Sequence, residues 1–455
     1  MNEFSALNLA PPLARALTAV DYVEMTPVQA ASLPGILAGR DVTVQAQTGS
    51  GKTAAFALGL LTTLDARSVC LQALVLCPTR ELADQVSREI RRLARFIPNV
   101  KVLTLCGGVP LRIHLVSLEH EPHIAVGTPG RLRDLIERGA LPLRALKALV
   151  LDEADRMLDM GFAPDLAEIV SRAPRLRQTM LFSATLPPAI RAIGSHLQRD
   201  PLEVIVAPNA LTEQVFFEVP RARKAAALDA LLRHYQAQAV LVFCNTRESV
   251  RAVASDLAAR QFTVLALHGE LDQRDREQVL VRFANRSCTV LVATDVAARG
   301  LDIADLPLVV NYDLANDPDT HLHRIGRTGR AGRGGLALSL CAPEEAARAV
   351  HIERLLGTPL RWDRTPEPAN QGAPLPAPFV TLAIDGGRED KLRPGDLLGA
   401  LTGDAKLPAD AVGDIDVFPT RTYVAIAYEW HEQAAERLRT GKIKGRRFRA
   451  RVLRN

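Results

Sequence analysis

The sequence predicts an α/β protein with two parallel-sheet domains in tandem and a small α+β module after them. Three observations predict it. Short apolar runs alternate with helix-like segments from about residue 25 to 205. The same alternation restarts after about residue 215. A proline-rich stretch then separates a last segment with a pattern of its own. Apolar runs buried on both faces, with amphipathic helices between them, are the mark of a parallel sheet covered on both sides.

In the first half the strand-like runs are Val42-Thr43-Val44, Ala73-Leu74-Val75-Leu76, Ile124-Ala125-Val126, Ala148-Leu149-Val150-Leu151 and Thr179-Met180-Leu181-Phe182. In the second half they are Val240-Leu241-Val242-Phe243, Val264-Leu265-Ala266-Leu267, Val290-Leu291-Val292-Ala293, Leu308-Val309-Val310 and Leu336-Ala337-Leu338-Ser339. From Trp362 to Pro378 five prolines lie among polar residues, an extended linker. Beyond it, Phe379 to Ile384 and Thr422 to Ala427 read as strands, and Leu392 to Leu401 and His431 to Arg439 as helices, in a β-α-β-β-α-β order. The expected divisions are 1–207, 215–360, a linker at 361–378, and 379–455.

The chain has 455 residues, enough for two or three domains, and 47% hydrophobic residues, ordinary for a globular protein. No apolar run is long enough to span a bilayer, and the first residues lack a signal-peptide pattern, so no membrane association and a cytoplasmic location are expected. The six cysteines form no C-x-x-C pair and read as small buried hydrophobes, not as a zinc site or disulfide framework. The formal net charge is +5, and from Arg437 to Asn455 nine residues are Lys or Arg and none is acidic. That segment is a candidate phosphate-contacting surface.

Polar motifs follow the apolar runs directly, which is where ligands bind in open α/β sheets. Ala46-Gln47-Thr48-Gly49-Ser50-Gly51-Lys52-Thr53 fits a Walker A phosphate loop with Ala46 in place of the first glycine. Its backbone N–H groups are suited to wrap phosphates, Lys52 to reach the β and γ phosphates, and Thr53 to ligate Mg²⁺. Asp152-Glu153-Ala154-Asp155 lies at the end of another run. There Asp152 is the expected Mg²⁺ partner and Glu153 the general base that orients the attacking water. Loop and acids together point to hydrolysis of a nucleoside triphosphate.

The Asp152–Asp155 motif and those around it resemble the DEAD-box RNA helicases. Tyr22-Val23-Glu24-Met25-Thr26-Pro27-Val28-Gln29 resembles the family's Q motif. That resemblance implies that Gln29 reads the adenine edge, that Tyr22 stacks on the base with Phe4 in support, and that the nucleotide is ATP. Pro78-Thr79-Arg80-Glu81-Leu82, Gly107-Gly108 and Thr128-Pro129-Gly130-Arg131 resemble the RNA-contacting motifs of the family's first domain. They assign RNA contacts to Pro78, Thr79, Arg80, Gly108, Thr128, Pro129 and Arg131. Hydroxyls, backbone amides and arginines suit a sugar-phosphate backbone. Ser183-Ala184-Thr185 resembles the motif that couples hydrolysis to strand separation, through Ser183 and Thr185.

The second half has no phosphate loop of its own and carries arginines instead. His323-Arg324-Ile325-Gly326-Arg327-Thr328-Gly329-Arg330 resembles the family's motif VI, in which Arg327 and Arg330 reach the γ-phosphate when the domains close. Residues 294–302 resemble motif V, which implies that Asp302 binds the ribose and that Thr294 and Gly300 lie near RNA. Asn245, Gln273 and Arg276 fall in further RNA-contacting motifs. The resemblance covers residues 4–355 and implies two RecA-like domains.

The tail resembles an RNA-recognition-motif fold, and more closely the C-terminal domain of the DbpA subfamily. Thr381 to Gly387, Arg393 to Gly403 and Gly441-Lys442-Ile443-Lys444-Gly445 are the segments that carry the likeness. Modules of this fold stack bases on sheet aromatics. Here Tyr423 is retained but Ala425 stands where a second aromatic is usual, so the basic edge at Lys442, Lys444, Arg446 and Arg447 is the favoured contact surface. The likeness implies a monomer whose partner is RNA, a hairpin of 23S ribosomal RNA in pre-50S particles. Two rivals stay open: a clamp or chaperone that uses ATP only to lock onto RNA, and a DNA-directed motor.

Overall fold

The computed structural model describes residues 3–47, 49–206, 212–298, 306–329, 334–366, 372–404 and 407–453. Four of the expected site residues, Thr48, Gly300, Asp302 and Arg330, lie outside the described residues. The chain divides into two compact units. One is Met1–Ala210 with Gly300–Ala304, and the other is Leu211–Arg299 with Asp305–Asn455. The C-terminal module therefore belongs to the second unit.

In the first unit the strands are β1 (Val42–Gln45), β2 (Ala73–Leu76), β3 (Val102–Leu105), β4 (Ile124–Gly127), β5 (Ala148–Leu151), β6 (Gln178–Ser183) and β7 (Leu202–Ile205). They form one sheet in the order β3-β4-β2-β5-β6-β1-β7, and its strand pairs are parallel. Alternate residues of the central strands enter two separate cores. Val42, Val44, Val75, Val150 and Phe182 pack on one face. Leu74, Leu76, Leu149, Leu151 and Leu181 pack on the other. Both faces are covered, so these strands are continuously apolar instead of alternating.

The second unit repeats the plan. Strands β8 (Thr212–Glu218), β9 (Val240–Cys244), β10 (Val264–Leu267), β11 (Val290–Thr294), β12 (Leu308–Asn311), β13 (Gly335–Cys341) and β14 (Trp362–Asp363) pair in the order β10-β11-β9-β12-β13-β8-β14. Numbered from β8, this is the strand order of the first sheet. The module adds an antiparallel sheet of β15 (Phe379–Ile384), β16 (Val412–Val417), β17 (Thr422–Ala427) and β18 (Ala450–Val452), in the order β16-β17-β15-β18. Helices Pro394–Gly399 and His431–Thr440 complete a β-α-β-β-α-β chain. Leu382, Ile384, Val424 and Ile426 face those helices in the module's own core. The fold is thus two RecA-like parallel-sheet domains and a small antiparallel α+β module of RRM-like order.

Five of the six cysteines are buried, as expected; Cys70 is half-buried in a turn, with its Sγ 3.3 Å from the Ser68 hydroxyl. Burial holds the thiols of Cys106, Cys244 and Cys288 up at about 12. Among the described residues no helix is long and apolar enough to cross a membrane.

Candidate nucleotide and RNA sites

The phosphate loop leaves the carboxyl end of β1 and enters the helix Lys52–Thr63. Gly49 (φ 82°) and Gly51 (φ 91°) take left-handed backbone, which lets the loop fold tightly and leaves the first helical N–H groups without a side-chain cap. A Cβ at Gly51 would also meet Gln29 Nε2 at 2.5 Å, so glycine is required there twice over. Lys52 is buried, and its Nζ donates to the Ala46 carbonyl at 2.7 Å. Burial lowers its pKa, against the opposing pull of Asp152, Glu153 and Asp155.

The segment resembling the Q motif grips this loop from outside. Thr26 caps the helix Pro27–Leu37 in a capping box with Gln29. The Thr26 hydroxyl donates to the Ser50 carbonyl at 2.7 Å, and Gln29 Nε2 donates to the Gly51 carbonyl at 3.1 Å. Gln29 Oε1 accepts from the Thr26 N–H at 2.8 Å. The Gln29 side chain, expected to read adenine, is here a brace for the loop. Tyr22 is half-buried and stacks on Phe4, with ring centroids 6.1 Å apart and planes at 15°. Its hydroxyl donates to Glu89 at 2.9 Å, and burial with the Glu89 charge pushes it up to about 12.

The acidic cluster follows β5. Asp152 is 2% exposed, and its carboxyl is pushed up to about 7, by burial first and by the neighbouring Glu153 and Asp155, against the pull of Lys52. Glu153 holds left-handed backbone (φ 53°), a conformation that costs about 1–3 kcal/mol outside glycine. A buried ion pair with Arg156 at 2.9 Å fixes its carboxylate. Asp155 turns the other way. Its Oδ2 accepts from the N–H groups of Ala184 (3.1 Å) and Thr185 (2.9 Å) and from the Thr185 hydroxyl (3.1 Å). The Ser183 hydroxyl in turn accepts from the Asp155 N–H at 3.2 Å. The Ala46 N–H donates to the Ser183 carbonyl at 3.0 Å, so phosphate loop, Asp155 and Ser183–Thr185 are one bonded assembly at the carboxyl ends of β1, β5 and β6. For a divalent cation the fit is good: a buried carboxylate displaced toward its neutral form, Asp152, is what such an ion would restore. Thr53 lies at the second position of the adjacent helix.

The three motifs assigned to RNA also converge. Pro78 is buried, and Thr79 caps the helix Arg80–Leu93. The Arg80 guanidinium lies where a Cβ on Gly108 (φ 79°) would be, 1.8 Å from its Nη1. The Thr128 hydroxyl accepts from the Gly107 N–H at 3.4 Å, and Pro129 opens the next helix. Arg131 donates to the Val109 carbonyl at 2.9 Å and to His114 Nδ1 at 2.6 Å.

In the second unit the centre is Arg324, to which the motif alone assigns no role beside Arg327 and Arg330. Arg324 is 1% exposed, its Nε and Nη2 fork onto Asp295 at 2.6 and 2.7 Å, and Nη1 donates to the Asp313 carbonyl at 2.6 Å. Its Nη2 also donates to Asn245 Oδ1 at 2.7 Å, while Asn245 Nδ2 donates to the Leu314 carbonyl at 2.9 Å. Asn245, expected at RNA, has both ends of its amide engaged inside the unit. Arg276 donates to the Ala297 carbonyl at 2.9 Å, and the Thr294 hydroxyl caps the same turn. Gln273 is exposed, and Arg327 is 2% exposed.

In the module, Lys442, Arg446 and Arg447 are exposed around a tight turn in which Lys444 (φ 53°) and Gly445 (φ 79°) are both left-handed. Lys444 Nζ lies 3.5 Å from Asp396. Tyr423 departs from the expectation for an RNA-contacting ring. It is fully buried against Ala383 of its own sheet and Val281 of the preceding domain, so neither ring face is open to a base.

Comparison with known proteins agrees with this geometry. Residues 26–193 match the DEAD/DEAH box helicase family, 223–332 the helicase conserved C-terminal domain, and 381–452 the DbpA RNA binding domain. The chain is 56% identical to the ATP-dependent RNA helicase DbpA of Escherichia coli (strain K12), over 100% of both chains. It is 43% identical to the ATP-dependent RNA helicase CshA of Limosilactobacillus reuteri, over 78% of this chain and 72% of that one. S. cerevisiae Dbp5 bound to RNA and ADP BeF3 superposes with a TM-score of 0.73 at 29% identity, covering 80% of this chain and 96% of that chain. The chain belongs to the DEAD-box ATP-dependent RNA helicases, in the DbpA subfamily.

Proposed function

We propose that this enzyme is an RNA-dependent ATPase that opens short RNA duplexes locally, held beside its target by its C-terminal module. The target in this reading is a hairpin of 23S ribosomal RNA during assembly of the large ribosomal subunit, met in the cytoplasm by a monomer. The observation that carries the catalytic reading is the bonded chain from the phosphate loop through Ser183 to Asp155 and Thr185. The observation behind the targeting is the module, which the hydrolytic chemistry by itself does not need.

Lys52 gives up its bond to the Ala46 carbonyl for the β and γ phosphates of ATP. Thr53 and Asp152 would hold Mg²⁺, which supplies charge neutralisation at the phosphates. Glu153, fixed by Arg156, accepts the proton of the attacking water. Gln29 and Tyr22 face the adenine, and Asp302 the ribose. Arg327 and Arg330 offset charge on the γ-phosphate, a contribution of roughly 10³–10⁵ in rate for such arginines. Pro78, Thr79, Arg80, Gly108, Thr128, Pro129 and Arg131 line the RNA path, with Gln273, Arg276, Thr294 and Gly300. The exposed Lys442, Arg446 and Arg447 engage the hairpin.

A chain ending near residue 365 tests the division of labour. It should keep some RNA-dependent ATPase activity and lose its preference for 23S RNA over bulk RNA. An unchanged preference would assign the module another role. Strand displacement of a short duplex beside the hairpin separates a helicase from a clamp.

A further inference from the structure

The ring expected to stack on the base stands on a loop, not on a regular element. Tyr22 lies between the helices Pro11–Ala19 and Pro27–Leu37, one residue after Asp21, whose backbone is left-handed (φ 56°). Backbone geometry there does not fix a side chain, so contacts from elsewhere in the unit must. Three are present. Phe4, itself 4% exposed, lies nearly parallel to the ring. The Tyr22 hydroxyl donates to Glu89 Oε1 at 2.9 Å. The Arg92 guanidinium sits over the ring, 5.4 Å from its centroid. Arg92 is held in turn, donating to Glu89 Oε2 at 3.3 Å and to the Val20 carbonyl at 3.2 Å.

Stacking on a base needs a ring face and no hydroxyl, so phenylalanine would serve as well for that contact alone. The hydroxyl does something else: it ties the ring to the helix Arg80–Leu93, whose C-terminal half carries Glu89 and Arg92. The bond is partly buried and charge-assisted, the strong class of side-chain hydrogen bond. Burial and the Glu89 charge push the hydroxyl up to about 12, so it stays protonated and donating at neutral pH. We propose that Glu89 is a positioning residue for the adenine: with Arg92 it holds the Tyr22 ring in place before the nucleotide arrives. A ring fixed beforehand loses little rotamer freedom on binding, and the base is held more tightly for it. This inference deepens the nucleotide site proposed above and rests on Tyr22 facing the adenine there.

ATPase assays on the full chain with saturating RNA test it. Glu89→Leu should raise KM for ATP about five- to tenfold and leave kcat unchanged. Tyr22→Phe keeps the ring, removes only the hydroxyl, and should do the same. The double variant E89L/Y22F should be no worse than either single one, because both remove one bond. Glu89→Gln keeps an acceptor and should stay within about twofold of the parent chain. Inhibition by tripolyphosphate, which fills the phosphate loop and has no base, should be unchanged in each. RNA affinity without nucleotide should be unchanged too, because Arg80 begins the same helix about 14 Å along the axis from Glu89. An unchanged KM in Glu89→Leu, a double variant in which the two effects multiply, or weakened tripolyphosphate or RNA binding overturns the positioning. Tyr22→Ala tests the reading beneath it. An unchanged KM there removes the ring from the nucleotide site, and the positioning with it. A raised KM there beside an unchanged one in Glu89→Leu keeps the stacking and removes only the role of Glu89. If Glu89→Leu does not fold, Tyr22→Phe decides alone, and an unchanged KM overturns the proposal.

Discussion

Thr185 donates both its backbone N–H (2.9 Å) and its hydroxyl (3.1 Å) to the same oxygen of Asp155. The last acid of the hydrolytic motif is therefore tied to a second loop, and a shift in one moves the other. Thr185→Val removes only the hydroxyl contact, worth about 1–2 kcal/mol, or roughly tenfold in a rate that depends on it. RNA-stimulated ATP hydrolysis should persist in this variant while displacement of a short RNA strand slows by about that factor. Equal slowing of both would show that the contact serves hydrolysis alone.

Lys52→Ala and Glu153→Gln should both abolish steady-state hydrolysis, for different reasons. The first removes the phosphate contact and weakens ATP binding. The second keeps shape and binding but deprives the water of its base, a loss of about 10²–10⁴ in rate. Nucleotide affinity measured by fluorescence, beside turnover, distinguishes them.

Asp152, held at about 7 by burial and by its acidic neighbours, gives a pH signature. Its folded pKa is raised above the usual carboxylate range, so the free folded chain binds the extra proton. From this group alone, stability of the free chain falls as pH rises between about 4 and 7. A bound cation needs the carboxylate, so Mg²⁺-nucleotide binding at pH 6.5 should release a proton that Asp152→Asn does not release. Calorimetry in buffers of different ionisation enthalpy measures this. The rise in melting temperature on adding Mg-ATP should also be larger at pH 8 than at pH 6.

Arg324→Lys should destabilise the second unit by about 3–5 kcal/mol, since a buried pair loses the planar fork that matches Asp295. Thermal denaturation reads this directly, and nucleotide binding by the first unit should be spared.

The parallel strands and the loops at their ends were legible because burial on both faces leaves continuous apolar runs. Several edge strands escaped for the opposite reason, although β10, at the edge of the second sheet, is legible. In β7 only Val204 is buried, β14 is two residues long, and β16 carries Asp414 and Asp416 around an irregular register. Residues that stand in a motif are legible as candidates; those that work through tertiary pairing are not. Arg324 reads as one basic residue among several until Asp295 and Asn245 are brought beside it. The Thr26 capping box was open to sequence reading through its T-x-x-Q spacing. Burial of Tyr423 was not, because it depends on a helix 140 residues away in the chain, a contact no local pattern encodes.

Hydrolysis stimulated by 23S rRNA, by poly(A) and by DNA of matched length tests the central claim most directly. The account predicts strong stimulation by ribosomal RNA, weaker stimulation by poly(A) and none by DNA. Hydrolysis that is equally fast with DNA, or that needs no nucleic acid, would contradict it.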